Sequence, residues 1–170
     1  PQITKSFAAG DKNRTDELLI MSTKFSFLLM MLIGSVFLIA PEWILGLWLG
    51  DVPPYATIFL ILFVLDSLVQ SFNAGISNII WASGKIALYQ ILTSSLNILA
   101  IVAGYFVLKV GYPAYYLICA YITFSVLRFF AIQWSLHKTL GYNNFTLWKH
   151  SYLPSILVVV LFLPVVFIPD

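Results

Sequence analysis

A stripe of polar side chains within an apolar stretch is the most chemically distinctive feature of this sequence. Asp66, Gln70, Asn73 and Ser77 follow one another at i, i+4, i+7 and i+11, which places them on one face of a helix. Asp66 is the single charge of the helix predicted around them, residues 55–83. Unpaired polar groups are costly in hydrocarbon, so we expect the stripe to face other helices or a wet cavity. An ionisable residue inside a membrane helix is also a functional candidate.

Two further groups of polar residues accompany this stripe. Gln90, Ser94 and Asn97 share one face of the next apolar segment, which contains no charge. Arg128 is the single charge of the apolar segment that follows, residues 114–136. It can have a functional role there, or its side chain can simply extend to the lipid headgroups. Amides and hydroxyls can hydrogen-bond a hydrophilic solute, and a guanidinium can bind pyrophosphate. We therefore treat these residues, together with the stripe, as candidates for a substrate path.

Asp66 and Arg128 are predicted to lie at similar depths in the membrane. Counted from the outer ends of their helices, the two positions differ by about 5 Å. If the helices adjoin, the two side chains can pair; if they do not, Arg128 can bind an anion and Asp66 can take up protons or sodium. A third alternative is that Asp66 is a buried group that serves packing only. The sequence leaves these alternatives open.

The composition identifies the elements that carry these residues as membrane helices. Apolar residues make up 61% of the chain and charged residues 9%, with a mean hydropathy of +0.94. Soluble domains average about 25% charged residues. We predict an all-α integral membrane protein, an antiparallel transmembrane helix bundle with five spans at residues 18–49, 55–83, 86–108, 114–136 and 151–169. Because the turn between the second and third spans is very short, we expect these two to pack as a hairpin.

The basic residues predict the orientation of the bundle. With five spans, Lys109 is the single exception among nine lysines and arginines that otherwise share one side, which should be cytoplasmic. Lys5 and Lys24 lie on that side and are candidates, with Arg128, for binding a lipid headgroup or pyrophosphate. The alternative for the two lysines is an ordinary role in setting topology. The chain starts without methionine and ends directly after an apolar run, so we expect it to be a piece of a longer protein.

Motifs of soluble enzymes are missing from the sequence. It contains no GxGxxG, no HExxH and no CxxC, and Gly84-Lys85 is followed by isoleucine rather than by the residues of a phosphate loop. We therefore expect no enzymatic activity, no catalytic residue, no cofactor and no metal site. Nucleic acid is not an expected partner either.

Three sequence motifs occur in an order that resembles a known family. The chain opens with PQITKSFAAGD, closes its first predicted span with EWILGLWLGDVPPY and continues after the second with ASGKIALYQI. Over residues 1–148 this succession is similar to the C-terminal half of bacterial polysaccharide flippases, which export O-antigen and capsule units. These proteins belong to the multidrug/oligosaccharidyl-lipid/polysaccharide exporter superfamily.

The resemblance implies an architecture and a function. Such proteins have about 12 to 14 helices in two bundles related by pseudosymmetry, so this chain would be part of the C-terminal bundle and would lack its N-terminal partner. They move undecaprenyl-pyrophosphate-linked oligosaccharide across the bacterial inner membrane by alternating access during lipopolysaccharide and cell-envelope synthesis. Membrane lipids, a polysaccharide polymerase and glycosyltransferases would be partners. The alternatives are a drug or small-solute antiporter of the same superfamily and, third, a membrane-embedded acyl- or glycosyltransferase.

Overall fold

Helices are the regular elements of the computed structural model, which describes residues 2–166 and the side chains of residues 2–160. Within that range a π-helical turn, Trp148–Tyr152, joins the last two α-helices, so helical conformation continues through residues 144–166. The α-helices are α1 (Gln2–Ala8), α2 (Lys12–Ile39), α3 (Pro41–Leu49), α4 (Ala56–Ser71), α5 (Ala74–Ala82), α6 (Ala87–Lys109), α7 (Tyr115–Leu140), α8 (Asn144–Leu147) and α9 (Leu153–Val166).

Three of these helices, α2, α6 and α7, are long and apolar enough to cross a membrane. Their 28, 23 and 26 residues exceed the roughly 20 that a bilayer core requires. Helices α4 and α5 count as a fourth candidate if this bent pair is taken as one span. The described chain therefore has the character of an all-α membrane protein with three to four candidate spans.

The first and the last predicted spans differ from the observed helices. Residues 18–49 were expected to be one span, but the chain breaks at Ala40 and Pro41 begins the separate helix α3. Proline has no N–H to continue the hydrogen bonds of α2 and is well suited to the first turn of a new helix. The last predicted span, 151–169, corresponds to α9, whose 14 residues extend about 21 Å. Its positions 167–169 lie outside the described residues.

The second predicted span, 55–83, is bent rather than continuous. Helices α4 and α5 meet at an angle of 43° without a proline at the junction. The N–H of Asn73 donates to the carbonyl oxygen of Gln70 at 2.9 Å, which is a tight i−3 bond. The hydroxyl of Ser71 donates to the carbonyl oxygen of Leu68, and that of Ser77 donates to the carbonyl oxygen of Asn73, each at 2.7 Å. Such side-chain bonds to the preceding turn compete with helical hydrogen bonds and bend helices.

The packing partners of these helices also differ from the expected hairpin. Helices α4 and α5 pack against α2 and α7, whereas α6 packs along α7. The rings of Tyr55 and Tyr115 lie 5.6 Å apart, so α4 and α7 begin side by side. Residues 55–83 and 86–108 therefore do not form the tightly packed pair that the short turn predicted.

Phe72 at the bend and Gly75 on α5 hold this segment against the rest of the bundle. The ring of Phe72 stacks on that of Phe27 at 4.2 Å and meets the ring of Tyr152 at 4.8 Å. At Gly75, a Cβ atom would lie only 2.7 Å from the hydroxyl oxygen of Ser22 on α2. The absence of a side chain at residue 75 thus permits the close approach of α5 and α2. The opposite face of α5 is left to line a cavity.

Candidate functional site

A polar cavity of about 370 Å³ lies between α5, α6 and α7, at the bend between α4 and α5. One face of α5 packs on α2, and the opposite face borders the cavity. Six of the eight predicted substrate-path residues line it. The complete lining consists of Gln70, Asn73, Ala74, Ser77, Trp81, Tyr89, Gln90, Thr93, Asn97, Arg128 and Ile132.

A chain of hydrogen bonds connects the walls of the polar cavity. Asn73 donates from its amide nitrogen to Oε1 of Gln70 at 3.4 Å, and Gln70 in turn donates to the hydroxyl oxygen of Ser125 on α7. The same oxygen accepts from Nη2 of Arg128 at 3.4 Å. Arg128 also donates from Nη1 to Oδ1 of Asn97 on α6. One network therefore links the α4–α5 bend, α7 and α6 through neutral acceptors.

The guanidinium of Arg128 can bind a ligand through its positive charge and its unused N–H donors. In the described part of the chain, no carboxylate lies within 4.0 Å of it. The ion pair found within that distance there joins Arg14 and Glu17 instead. Its two hydrogen-bonded partners, Asn97 and Ser125, are uncharged. A guanidinium carries five N–H donors, so two such bonds leave three for an anion. The expected alternative in which Arg128 pairs with Asp66 is therefore not observed.

Asp66 does not line the polar cavity, although it shares a helical face with Gln70 by sequence spacing. It is buried, with 7% of its surface exposed, and its Oδ1 has no hydrogen-bond partner among the described residues. Helix α4 packs against α2 and α7, and the first residue that lines the cavity, Gln70, lies one turn after Asp66. The structure thus encloses Asp66 in protein and separates it from the other polar residues of the stripe.

The remaining predicted residues lie away from the cavity walls. Ser94 sits behind Gln90 and accepts a hydrogen bond from its amide nitrogen at 3.1 Å. Lys5 is exposed on α1, and Lys24 is half-buried in the middle of α2. Neither lysine is brought to Arg128 at the polar cavity. The two lysines therefore stay separate candidates for binding a headgroup, away from Arg128.

Sequence reasoning missed Ser125 and the aromatic wall of the cavity. Ser125 is 2% exposed and accepts hydrogen bonds from both Gln70 and Arg128. Its signal was available, because it precedes Arg128 by three residues and so shares its helical face. Trp81 and Tyr89 also line the cavity, and neither was among the predicted site residues.

The comparisons with known proteins give no family for this chain. No family model matches it, and neither characterised proteins nor solved structures show significant similarity to it.

Proposed function

We propose that this chain is part of a flippase that moves undecaprenyl-pyrophosphate-linked oligosaccharide across the bacterial inner membrane by alternating access. The observation that carries the proposal is the polar cavity, where four amide side chains and one arginine meet inside an apolar helical protein. Polar side chains are costly inside a membrane and commonly line the path of a polar solute. The order of sequence motifs that resembles polysaccharide flippases supports the same function.

The amides of the cavity suit a sugar. Gln70, Asn73, Gln90 and Asn97 each offer both a donor and an acceptor, which matches the dual character of sugar hydroxyls. Trp81 and Tyr89 add aromatic surface against which the apolar face of a sugar ring can pack. A cavity of about 370 Å³ accommodates part of an oligosaccharide at a time.

Arg128 suits the pyrophosphate that joins the sugar to its lipid. Its planar guanidinium can bind phosphate oxygens through two parallel hydrogen bonds, which a lysine cannot do. Asn97 and Ser125 orient it without neutralising its charge. The lipid-linked substrate therefore finds a cation beside hydrogen-bonding groups for its first sugars.

The open side of the cavity favours the presence of a partner bundle that is not part of this chain. Gln90 and Asn97 line the cavity but are exposed in this chain. Exposure of these amides to lipid would be unfavourable, so a second polar surface is required opposite them. The N-terminal bundle implied by the family resemblance supplies such a surface in our proposal, and rocking of the two bundles gives alternating access.

A cation-coupled antiporter of small solutes is the second candidate. Asp66 favours it, because a buried carboxylate with an unpartnered oxygen is suited to taking up a proton or sodium ion. The two functions differ in what Arg128 does. An anionic lipid-linked substrate requires its charge, whereas uptake of cations at Asp66 does not.

The test is the replacement of Arg128 in the full-length protein, with both proposed bundles, expressed in a bacterial strain that lacks its polysaccharide flippase. Export of polysaccharide and accumulation of the lipid-linked intermediate are measured together. We expect Arg128→Ala to reduce export about tenfold or more, since a hydrogen bond to a charged group contributes about 1.5–3 kcal/mol. Arg128→Lys should restore only part of the export.

The matched control is Arg14→Ala, because Arg14 is the other arginine of the chain and is exposed on α2 outside the polar cavity. Its surface ion pair with Glu17 contributes little to stability, so export should be unchanged. Membrane insertion of each variant is checked by its abundance in the membrane fraction. Full export by inserted Arg128→Ala would refute the proposal. Absence of oligosaccharide export by the unmutated protein, together with solute-driven cation uptake that Asp66→Asn abolishes, would favour the antiporter.

A further inference from the structure

A second cavity, of about 540 Å³, lies at the opposite face of α5 and is not explained by the proposed transport function. We call it the rim cavity. It is enclosed by the start of α2, the turn after α5 and the connection after α7. Ile79 of α5 lines the rim cavity, whereas Ser77 and Trp81 of the same helix line the polar cavity. The two cavities are thus separated by α5, and the rim cavity is at the end of the molecule that carries most of the lysines and arginines.

Charges of both signs line the rim cavity without pairing. Lys12 and Lys85 contribute two ammonium groups, and Asp11 and Asp16 contribute two carboxylates. None of these four groups comes within 4.0 Å of an opposite charge in the described part of the chain. Oδ1 of Asp11 caps α2 by accepting from the backbone of Arg14 at 2.9 Å. A ligand that carries one positive and one negative group would complement this lining better than a simple anion, which the carboxylates would repel.

Tyr142 provides an additional polar group in the same cavity. Its hydroxyl oxygen is shielded from solvent and accepts no hydrogen bond in the described structure, and the Asp16 carboxylate lies beside it. Burial, followed by the charge of the Asp16 carboxylate and a hydrogen bond to it, raises the pKa of this phenol. A shielded oxygen that accepts no hydrogen bond has lost its bonds to water. A ligand with N–H donors could satisfy both the hydroxyl oxygen and the adjacent carboxylate.

Apolar side chains complete the lining and indicate an amphiphile. Phe7, Ile79 and Leu140 line the rim cavity together with the charged residues. We propose that the rim cavity binds the headgroup of phosphatidylethanolamine, with the phosphate near Lys12 and Lys85. Its ammonium then lies near Asp16 and Tyr142, and the glycerol end meets the apolar side chains. A primary ammonium donates three hydrogen bonds, whereas the quaternary ammonium of phosphatidylcholine donates none.

The experiment is native mass spectrometry of the full chain, purified in detergent and depleted of lipid. Phosphatidylethanolamine, phosphatidylcholine and phosphatidylglycerol with identical acyl chains are added at matched concentrations, and free phosphoethanolamine is added in a separate series. We expect phosphatidylethanolamine to bind about tenfold more tightly than phosphatidylcholine, the difference that loss of one charge-assisted hydrogen bond would produce. Phosphatidylglycerol should bind less tightly than phosphatidylethanolamine, because it lacks the cation. Free phosphoethanolamine should bind more weakly than the lipid.

Variants test the acidic and the basic residues of the rim cavity separately. Asp16→Asn and Lys85→Gln should each weaken phosphatidylethanolamine binding about tenfold. The matched controls are Asp51→Asn and Lys109→Gln, which remove the same charges outside the rim cavity and should leave binding unchanged. A thermal unfolding measurement confirms that all four variants are folded.

Three results would overturn the proposal. Phosphatidylglycerol binding as tightly as phosphatidylethanolamine would identify a simple anion site, and equal effects of the pocket and control variants would indicate general lipid adsorption. Free phosphoethanolamine binding as tightly as the lipid would identify a soluble zwitterion as the ligand. None of these results depends on export activity, so failure here is distinguishable from failure of the proposed function.

Discussion

Removal of the Ser125 hydroxyl should loosen the whole polar cavity. Its oxygen accepts from Gln70 on α4 and from Arg128, so Ser125→Ala removes a bond across two helices and one that orients the arginine. The site is 2% exposed, and water cannot easily replace the lost acceptor. An interhelical hydrogen bond in a membrane protein contributes about 0.6 kcal/mol on average and about 1.7 at most. The charge of Arg128 strengthens its bond and the 3.4 Å separation weakens it, so we expect a total loss of about 1.5 kcal/mol.

The assay is a double-mutant cycle of Ser125→Ala with Arg128→Ala, measured by reversible unfolding in detergent. The two replacements should be coupled by about 0.7 kcal/mol, because one of the two bonds of Ser125 is made to Arg128 itself. The matched control is Thr123→Val on the same helix, whose hydroxyl donates only to its own helix at Cys119. Additive effects, within about 0.3 kcal/mol, would refute the shared role of this oxygen. Equal loss of stability in Thr123→Val would do the same.

Two further predictions concern packing and topology. Gly75→Ala should lower stability by about 1–3 kcal/mol, since its Cβ would collide with side chains of α2, and thermal unfolding should show no such loss for Gly46→Ala, where nothing lies within 4 Å. In a Cys119→Ser background, a membrane-impermeant thiol reagent added from outside should label a cysteine at residue 51 and spare one at residue 84. Labelling at residue 84 instead would reverse the predicted orientation.

Local sequence patterns predicted which residues share a helical face, but they did not predict which helices pack together. The spacing of Gln70, Asn73 and Ser77 placed these residues on one face, and the structure brings them to one cavity. Periodicity is a property of one helix and can be read from that helix alone. The choice of neighbours depends on tertiary packing: the turns on both sides of α6 are short, yet α6 packs on α7 rather than on α5.

The bend and the burial of Asp66 could not be predicted from the same patterns. No proline marks the 43° change in direction, and the serine hydroxyls that accompany it occur in straight helices too. The cavity begins at Gln70, close to the bend, and Asp66, one turn earlier on α4, is buried within the bundle. Which turn of a helix is enclosed by its neighbours depends on tertiary packing, which helical periodicity does not contain.

The two faces of α5 have different tolerances to sequence change. One face carries Gly75, where the contact with α2 excludes any side chain, and the buried residue Ile76. The other presents Ser77 and Trp81 to open space in the polar cavity. Divergence among descendants of this protein can therefore alter the solute that the cavity accepts without disturbing the contact that supports the fold. Selection for a new substrate would act on the second face and leave residue 75 unchanged as glycine.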